Sequence, residues 1–233
     1  MKSSVAIDNP ICVALDSSDA ERVRELARAT RPTVGLFKVG LTAYVAHGAT
    51  LVTELAAERP VFLDLKLHDI PAQVEGAARA AADTGASFVT AHALGGPAMI
   101  SAAVNGAGET NVLAVTVLTS LSAEDLNALG IERSPADLVM KLAHTALEAG
   151  ASGLVCSSHE VAALRDRFGR RAEGGPLLVV PGIRDAPTDD DQRRTMSAKG
   201  AVDAGADIVV IGRPITASDD PEQAARTILE SLE

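Results

Sequence analysis

The sequence predicts an α/β protein, a single (β/α)8 TIM barrel over residues 1–233, and three observations carry that expectation. Eight short β-branched runs alternate with eight Ala- and Leu-rich stretches, which implies right-handed βαβ units and a parallel sheet. Ala82-Asp83-Thr84-Gly85-Ala86, Leu147-Glu148-Ala149-Gly150-Ala151 and Val202-Asp203-Ala204-Gly205-Ala206 repeat one helix-to-strand turn, with glycine ending the helix. Hydrophobic residues make up 47% of the chain but aromatic ones only 2%, with no Trp and one Tyr. The core must therefore come from Val, Ile, Leu and Ala, which suits strands buried on both faces.

The elements follow in order. The first strand is the run 11–15, and its helix is 19–29. Strand 35–39 leads into helix 42–57, and strand 61–65 into helix 74–84. Strand 88–92 precedes helix 99–107. Strand 112–117 is followed by a long loop, 119–134, with room for a short helix, and then by helix 135–149. Strand 153–156 precedes helix 160–168. Strand 177–181 is followed by a second long loop, 182–191, with Pro187 and three consecutive Asp, and by helix 192–204. Strand 208–211 and helix 221–232 close the set. The same alternation could build an open, doubly wound sheet, but eight units favour closure. The three glycine turns mark the bottom of the barrel and so identify its top, where long loops serve as lids or binding loops.

A net charge of −10 leaves no global basic footprint, so nucleic acid is not an expected partner. A local anion site remains compatible with an acidic chain. Cys12 and Cys156 each sit in an apolar run and read as buried free thiols. The N-terminus carries one Lys and no long apolar run, so no signal peptide is expected. No apolar run approaches the roughly 18 residues of a membrane helix. A soluble cytoplasmic protein with no membrane partner is expected.

Polar residues at the C-terminal ends of barrel strands are candidate site residues, because barrel active sites lie at that face. In order they are Asp16, Lys38, Asp64, Lys66, Asp69, His92, Thr119, Ser120, Arg184, Gly212 and Arg213. Alternation along the third strand puts Asp64 and Lys66 on one side and Leu63, Leu65 and Leu67 on the other. Opposite charges in a barrel mouth are costly to desolvate unless paired, and a fold needs no cluster of five there. Carboxylates flanking an ammonium favour its charged form. Such a lysine can hand a proton to a developing carbanion, and a neighbouring carboxylate can crowd a substrate carboxylate that leaves as CO2. Val180-Pro181-Gly182-Ile183-Arg184 and Ile211-Gly212-Arg213-Pro214-Ile215 place a Gly and an Arg after strands seven and eight, where barrels often bind phosphate.

These residues together resemble the orotidine 5′-phosphate decarboxylase family across nearly the whole chain. The resemblance rests on Ala14-Leu15-Asp16, Phe37-Lys38-Val39-Gly40, Asp64-Leu65-Lys66-Leu67-His68-Asp69-Ile70-Pro71, Val117-Leu118-Thr119-Ser120, Pro181-Gly182-Ile183-Arg184, Asp191-Gln192-Arg193-Arg194 and Ile211-Gly212-Arg213-Pro214. It implies conversion of orotidine 5′-phosphate to UMP without metal or organic cofactor, by a homodimer with shared active sites. Lys66 would protonate C6, and Asp64 would face the substrate carboxylate. Asp16 and Lys38 would hold ribose hydroxyls, with Lys38 also pairing Asp64. Asp69 would reach the neighbouring subunit's site, and Ile70 would pack near the base there. Thr119 and Ser120 would line the pyrimidine. Arg184, Gln192, Gly212 and Arg213 would bind phosphate, on a lid spanning 182–192. Gln73 departs from the pattern, because the family usually has Thr there. His68 and His92 read as supports rather than proton carriers.

A sugar-phosphate decarboxylase acting on 3-keto-gulonate 6-phosphate shares the D-x-K-x-x-D string but needs Mg2+. Its second strand carries a Glu that helps bind the ion, whereas this chain has Lys38, which repels a cation. A phosphate-sugar epimerase fits the lysine-rich array less well. A barrel that only binds phosphorylated ligands would have no use for Lys66 and Asp64 together. Hydrolase, zinc-protease and dinucleotide motifs are absent.

Overall fold

The computed structural model describes residues 7–183 and 196–232. Among them, β1 (Ile11–Ala14), β2 (Leu36–Val39), β3 (Val61–Leu67), β4 (Phe88–His92), β5 (Asn111–Val115), β6 (Gly153–Val155), β7 (Leu177–Val180) and β8 (Ile208–Ile211) pair in parallel and in order. β1 pairs with both β2 and β8, so the ring closes as expected. Closure leaves no strand edge unpaired.

The helices are α1 (Ala20–Thr30), α2 (Leu41–Ala56), α3 (Pro71–Ala82), α4 (Gly96–Ala107), α5 (Ala123–Ala128), α6 (Pro135–Glu148), α7 (Val161–Phe168), α8 (Ala198–Ala204), α9 (Arg213–Thr216) and α10 (Pro221–Ser231). Several starts are written in the sequence. Asp19 caps α1 by accepting the Glu21 N–H at 2.9 Å. Ser134 and Asp220 cap α6 and α10, each followed by a proline whose missing N–H leaves nothing unpaired. The short helix in the 119–134 loop is α5, held by a reciprocal Ser122–Asp125 capping box. Gly85, Gly150 and Gly205 have φ of 81°, 97° and 113°, the left-handed geometry that a helix-ending glycine supplies.

Three local expectations need correction. The second helix breaks at Gly48, where φ 66° and ψ −159° are open to glycine but not to its neighbours. The expected helix 192–204 begins only at Ala198, capped by Ser197, because Met196 instead bridges in parallel to Ile183. Residues 192–195 lie outside the described set. The third strand runs two residues past 65 and carries a bulge. Leu63 faces Val89 and Leu67 faces Ala91, so residues 64–66 lie opposite Thr90 alone.

Strand alternation divides the core in two. Cys12, Leu36, Phe62, Phe88, Leu113, Val115, Val155, Leu177, Val179, Ile208 and Val210 fill the barrel interior. The intervening strand residues pack outward against the helices. At its lower levels the inward row is apolar, and near the top it becomes Lys38, Asp64 and Thr90. Truncating Phe62 to Ala would cost about 3–5 kcal/mol through the cavity it leaves.

Candidate active site

The open top of the barrel holds a cavity of about 440 Å³. That is within the usual range of small-ligand sites. Phe62, Val115, Val155 and Val210 make its apolar floor, and Asp16, Lys38, Asp64 and Lys66 make one charged wall. Thr119, Gly182, Gly212 and Arg213 also line it. Charges contributed by β1 to β3 thus share one space with the segments leaving β7 and β8.

Asp16 follows β1, and its carboxylate forms a salt bridge with Lys38 Nζ from the adjacent strand. The Gly40 N–H donates to the other Asp16 oxygen at 2.8 Å. A Cβ on Gly40 would lie 2.3 Å from Asp16 Oδ1 and 2.7 Å from Lys38 Nζ. Only glycine therefore lets α2 start this close to the pair.

On β3, Lys66 Nζ donates to Asp64 Oδ2 at 2.7 Å. Alternation puts the two side chains on one side, and they meet there over a bulge rather than a flat strand. Lys66 has φ 51°, the only positive φ outside glycine among the described residues. An L-residue there costs roughly 1–2 kcal/mol, which the surroundings must offset. Thr90 of β4 supplies part of that support. Its Oγ1 accepts the Lys66 N–H at 2.8 Å and donates to Asp64 Oδ1 at 3.0 Å. The expected Lys38–Asp64 pair does not form. Lys38 is bound to Asp16, while Asp64 is held by Lys66 and Thr90.

Beyond the strand, His68, Asp69 and Ile70 are exposed. The Asp69 carboxylate accepts the Ile70 N–H at 2.6 Å, and neither residue lines the cavity of its own chain. Ile70 is 64% exposed, unusual for an isoleucine beside a charged site. Gln73 is exposed on the first turn of α3. Ser120 is also exposed and does not line the cavity. Arg184 and Gln192, with most of the expected 182–192 lid, lie outside the described residues.

The His68 ring stacks on His92, with centroids 5.3 Å apart and an interplanar angle of 22°. His92 is buried, and its Nδ1 has no hydrogen-bond partner among the described residues. Burial lowers the His92 pKa below its ordinary value, and the positive potential of His68 and Lys66 adds to the effect. The imidazole is thus kept neutral beside the charged wall.

Cys12 and Cys156 are free and buried, as the sequence indicated. Burial pushes both thiols up, so Cys156 lines the cavity as a neutral group. Thr90 and Cys156 were not singled out as site residues from the sequence. The inward position of Thr90 at the top of β4 was the available signal for it, whereas Cys156 alternates with the inward Val155 and belongs to the outward-packing core. Gly40 belonged to a quoted motif, but its clearance against Asp16 appears only in three dimensions.

Among the described residues no cluster of three or more His, Cys, Asp or Glu could hold a metal ion, and no helix is long and apolar enough to cross a membrane.

Comparison with known proteins supplies the remaining evidence. The chain is 52% identical over 225 residues to orotidine 5′-phosphate decarboxylase of Anaeromyxobacter sp. (strain K), covering 95% of this chain and 97% of that one. It is 47% identical over 229 residues to the enzyme of the same name from Thermobifida fusca, covering 96% of each. The crystal structure of orotidine 5′-phosphate decarboxylase from Lactobacillus acidophilus superposes with a TM-score of 0.85 at 35% identity, over 97% of this chain and 100% of the other. The sequence model of the orotidine 5′-phosphate decarboxylase / HUMPS family matches residues 9–228, and with that coverage the chain belongs to this family.

Proposed function

We propose that this chain, a decarboxylase by family, converts orotidine 5′-phosphate to UMP in pyrimidine biosynthesis, and that Lys66 protonates C6 without help from metal or cofactor. The observation that carries the reading is the Asp64–Lys66 contact at 2.7 Å on the wall of the cavity, beside the Asp16–Lys38 pair. The bond from C6 to the carboxyl carbon breaks and leaves its electron pair on C6. Lys66 Nζ then delivers a proton to that carbon and is reprotonated from solvent. A preorganised ammonium stabilises the developing carbanion. Asp64 is assigned the crowding of the substrate carboxylate, which CO2 loss would relieve.

Asp16 and Lys38 are assigned the ribose hydroxyls, and Thr119 the pyrimidine edge. Gly212 and Arg213, with Arg184 and Gln192, are assigned the phosphate. Phosphate binding energy would organise the charged wall from a distance. Independence from metal is inferred from the donor set. Each cavity carboxylate already has an ammonium partner, and Lys38 stands where a cation-binding barrel would need an acid.

Exposure of Asp69 and Ile70 outside their own cavity supports their use in a second copy's site, within a homodimer. Leu41, Val45 and Leu94 are further exposed apolar side chains, at the start of α2 and after β4. We assign the protein to the cytoplasm, where its nucleotide substrate would be made.

Ultraviolet absorbance of orotidine 5′-phosphate mixed with the protein in excess EDTA tests the reading. Loss of the orotate chromophore is the expected result. A stable chromophore, with turnover of a keto-sugar phosphate only when Mg2+ is added, would reassign the substrate within the same family.

A further inference from the structure

We propose that Thr90 is a positioning residue, a single buried hydroxyl that sets the geometry of Lys66 and Asp64 together. This rests on the roles assigned above to those two residues. Thr90 is fully buried at the inward face of β4. It stands alone opposite residues 64–66, where the β3–β4 register shifts. The bulge takes the Lys66 N–H out of the strand ladder, and an orphaned N–H at this depth would be costly. The Thr90 hydroxyl accepts it at 2.8 Å.

A hydroxyl has one proton and two lone pairs. Accepting from Lys66 leaves that proton for the other neighbour, Asp64 Oδ1, at 3.0 Å. The second Asp64 oxygen receives Lys66 Nζ at 2.7 Å. Backbone of Lys66, hydroxyl of Thr90, carboxylate of Asp64 and ammonium of Lys66 thus form a closed ring. The hydroxyl holds the φ 51° conformation that carries the lysine and, through Asp64, aims the end of its side chain. Asp64 in turn has both oxygens engaged, one by Thr90 and one by Lys66, which opposes rotation of the carboxylate. Serine can make both contacts, and valine, of the same shape, can make neither.

Thr90→Val and Thr90→Ser, each confirmed as folded by circular dichroism, are compared for decarboxylation and for binding of UMP, which lacks the carboxylate. The expected result is a fall in kcat of about 10–100-fold for Thr90→Val, UMP affinity within about threefold of wild type, and recovery of kcat to within about threefold in Thr90→Ser. The relay is overturned if Thr90→Val keeps wild-type kcat, if serine is as impaired as valine, or if UMP affinity falls in step with kcat. Should the valine variant not fold, Thr90→Cys replaces it, because a thiol is the weaker donor and acceptor. Its kcat must then fall below that of Thr90→Ser, and equality overturns the relay. Lys66→Ala in the same assay separates the two claims. If that variant is inactive while Thr90→Val keeps wild-type kcat, only the relay fails. If Lys66→Ala turns over normally, the proton-donor reading itself fails.

Discussion

Lys66 and Asp64 are two positions apart on one strand, yet their charged ends meet at 2.7 Å over a backbone that has left the extended region at Lys66. An ordinary strand would hold the two side chains parallel and apart. The bulge folds them together and directs both to the cavity. Deleting the ammonium should therefore affect chemistry more than binding. Lys66→Ala is expected to lower kcat by at least about 10²–10⁴-fold, the usual worth of a positioned proton donor. UMP binding should persist, because Asp16, Lys38 and Arg213 are untouched. Steady-state kinetics beside a UMP titration checks this, and near-normal turnover would sink the assignment.

Asp69 and Lys66 belong to one motif but, as proposed, serve different sites. Asp69→Ala and Lys66→Ala, each inactive alone, should restore activity when unfolded and refolded together. A two-fold dimer of one of each carries one site with both residues intact, so about a quarter of the wild-type activity per chain is expected from random pairing. No recovery in a mixture shown to be dimeric would place Asp69 in its own chain's site.

Arg213→Ala addresses the opposite end of the cavity. A charge-assisted hydrogen bond to phosphate is worth roughly 1.5–3 kcal/mol, so KM should rise about 10–150-fold. If phosphate binding also organises the charged wall, kcat falls as well. An unchanged KM would remove Arg213 from the phosphate site.

Gly40→Ala places a methyl against Asp16 Oδ1 and Lys38 Nζ, both at the ends of side chains that can move. Gly40 has φ −99°, so the backbone itself tolerates alanine. Expected are a displaced Asp16–Lys38 pair, a raised KM and a stability loss of about 1–3 kcal/mol from overpacking. A variant with wild-type KM would show that the pair does not need its present position to bind substrate.

The barrel was legible because its signals are local and repeated. Glycine at 85, 150 and 205 marks three of the returns to the bottom, and strand alternation needs no tertiary knowledge. The charged wall was legible in composition but not in connectivity. Lys38 was expected to pair with Asp64, yet Asp16 captures it, because the Gly40 N–H draws the Asp16 carboxylate toward β2. Thr90 was passed over because a buried threonine in a strand is ordinary by sequence, even at an inward position. Only the register shift beside it turns its hydroxyl into a bridge. In each case what escaped is a contact made across strands, set by register rather than by neighbours in the chain.

His92 makes the pH dependence of stability a test of the site's electrostatics. Burial, helped by His68 and Lys66, holds its folded pKa below the ordinary 6.5. Above that pH the ring is neutral whether the chain is folded or not, and it contributes no slope. As pH falls through about 6.5 the unfolded chain takes up a proton that the folded chain refuses, so stability declines toward the lower folded value. The slope is at most about 1.4 kcal/mol per pH unit for one proton. Glu54 titrates elsewhere. Its hydrogen bond to Arg24 lowers it from the ordinary 4.5, so whatever it contributes is lost only below that pH. Urea unfolding of the wild type and of His92→Gln between pH 7.5 and 5.5 isolates the histidine. The wild type should lose stability across that window, and the variant's profile should be flatter by up to one proton. Parallel profiles would mean that His92 takes up its proton as readily in the fold as in the open chain, and that neither burial nor its charged neighbours hold it back.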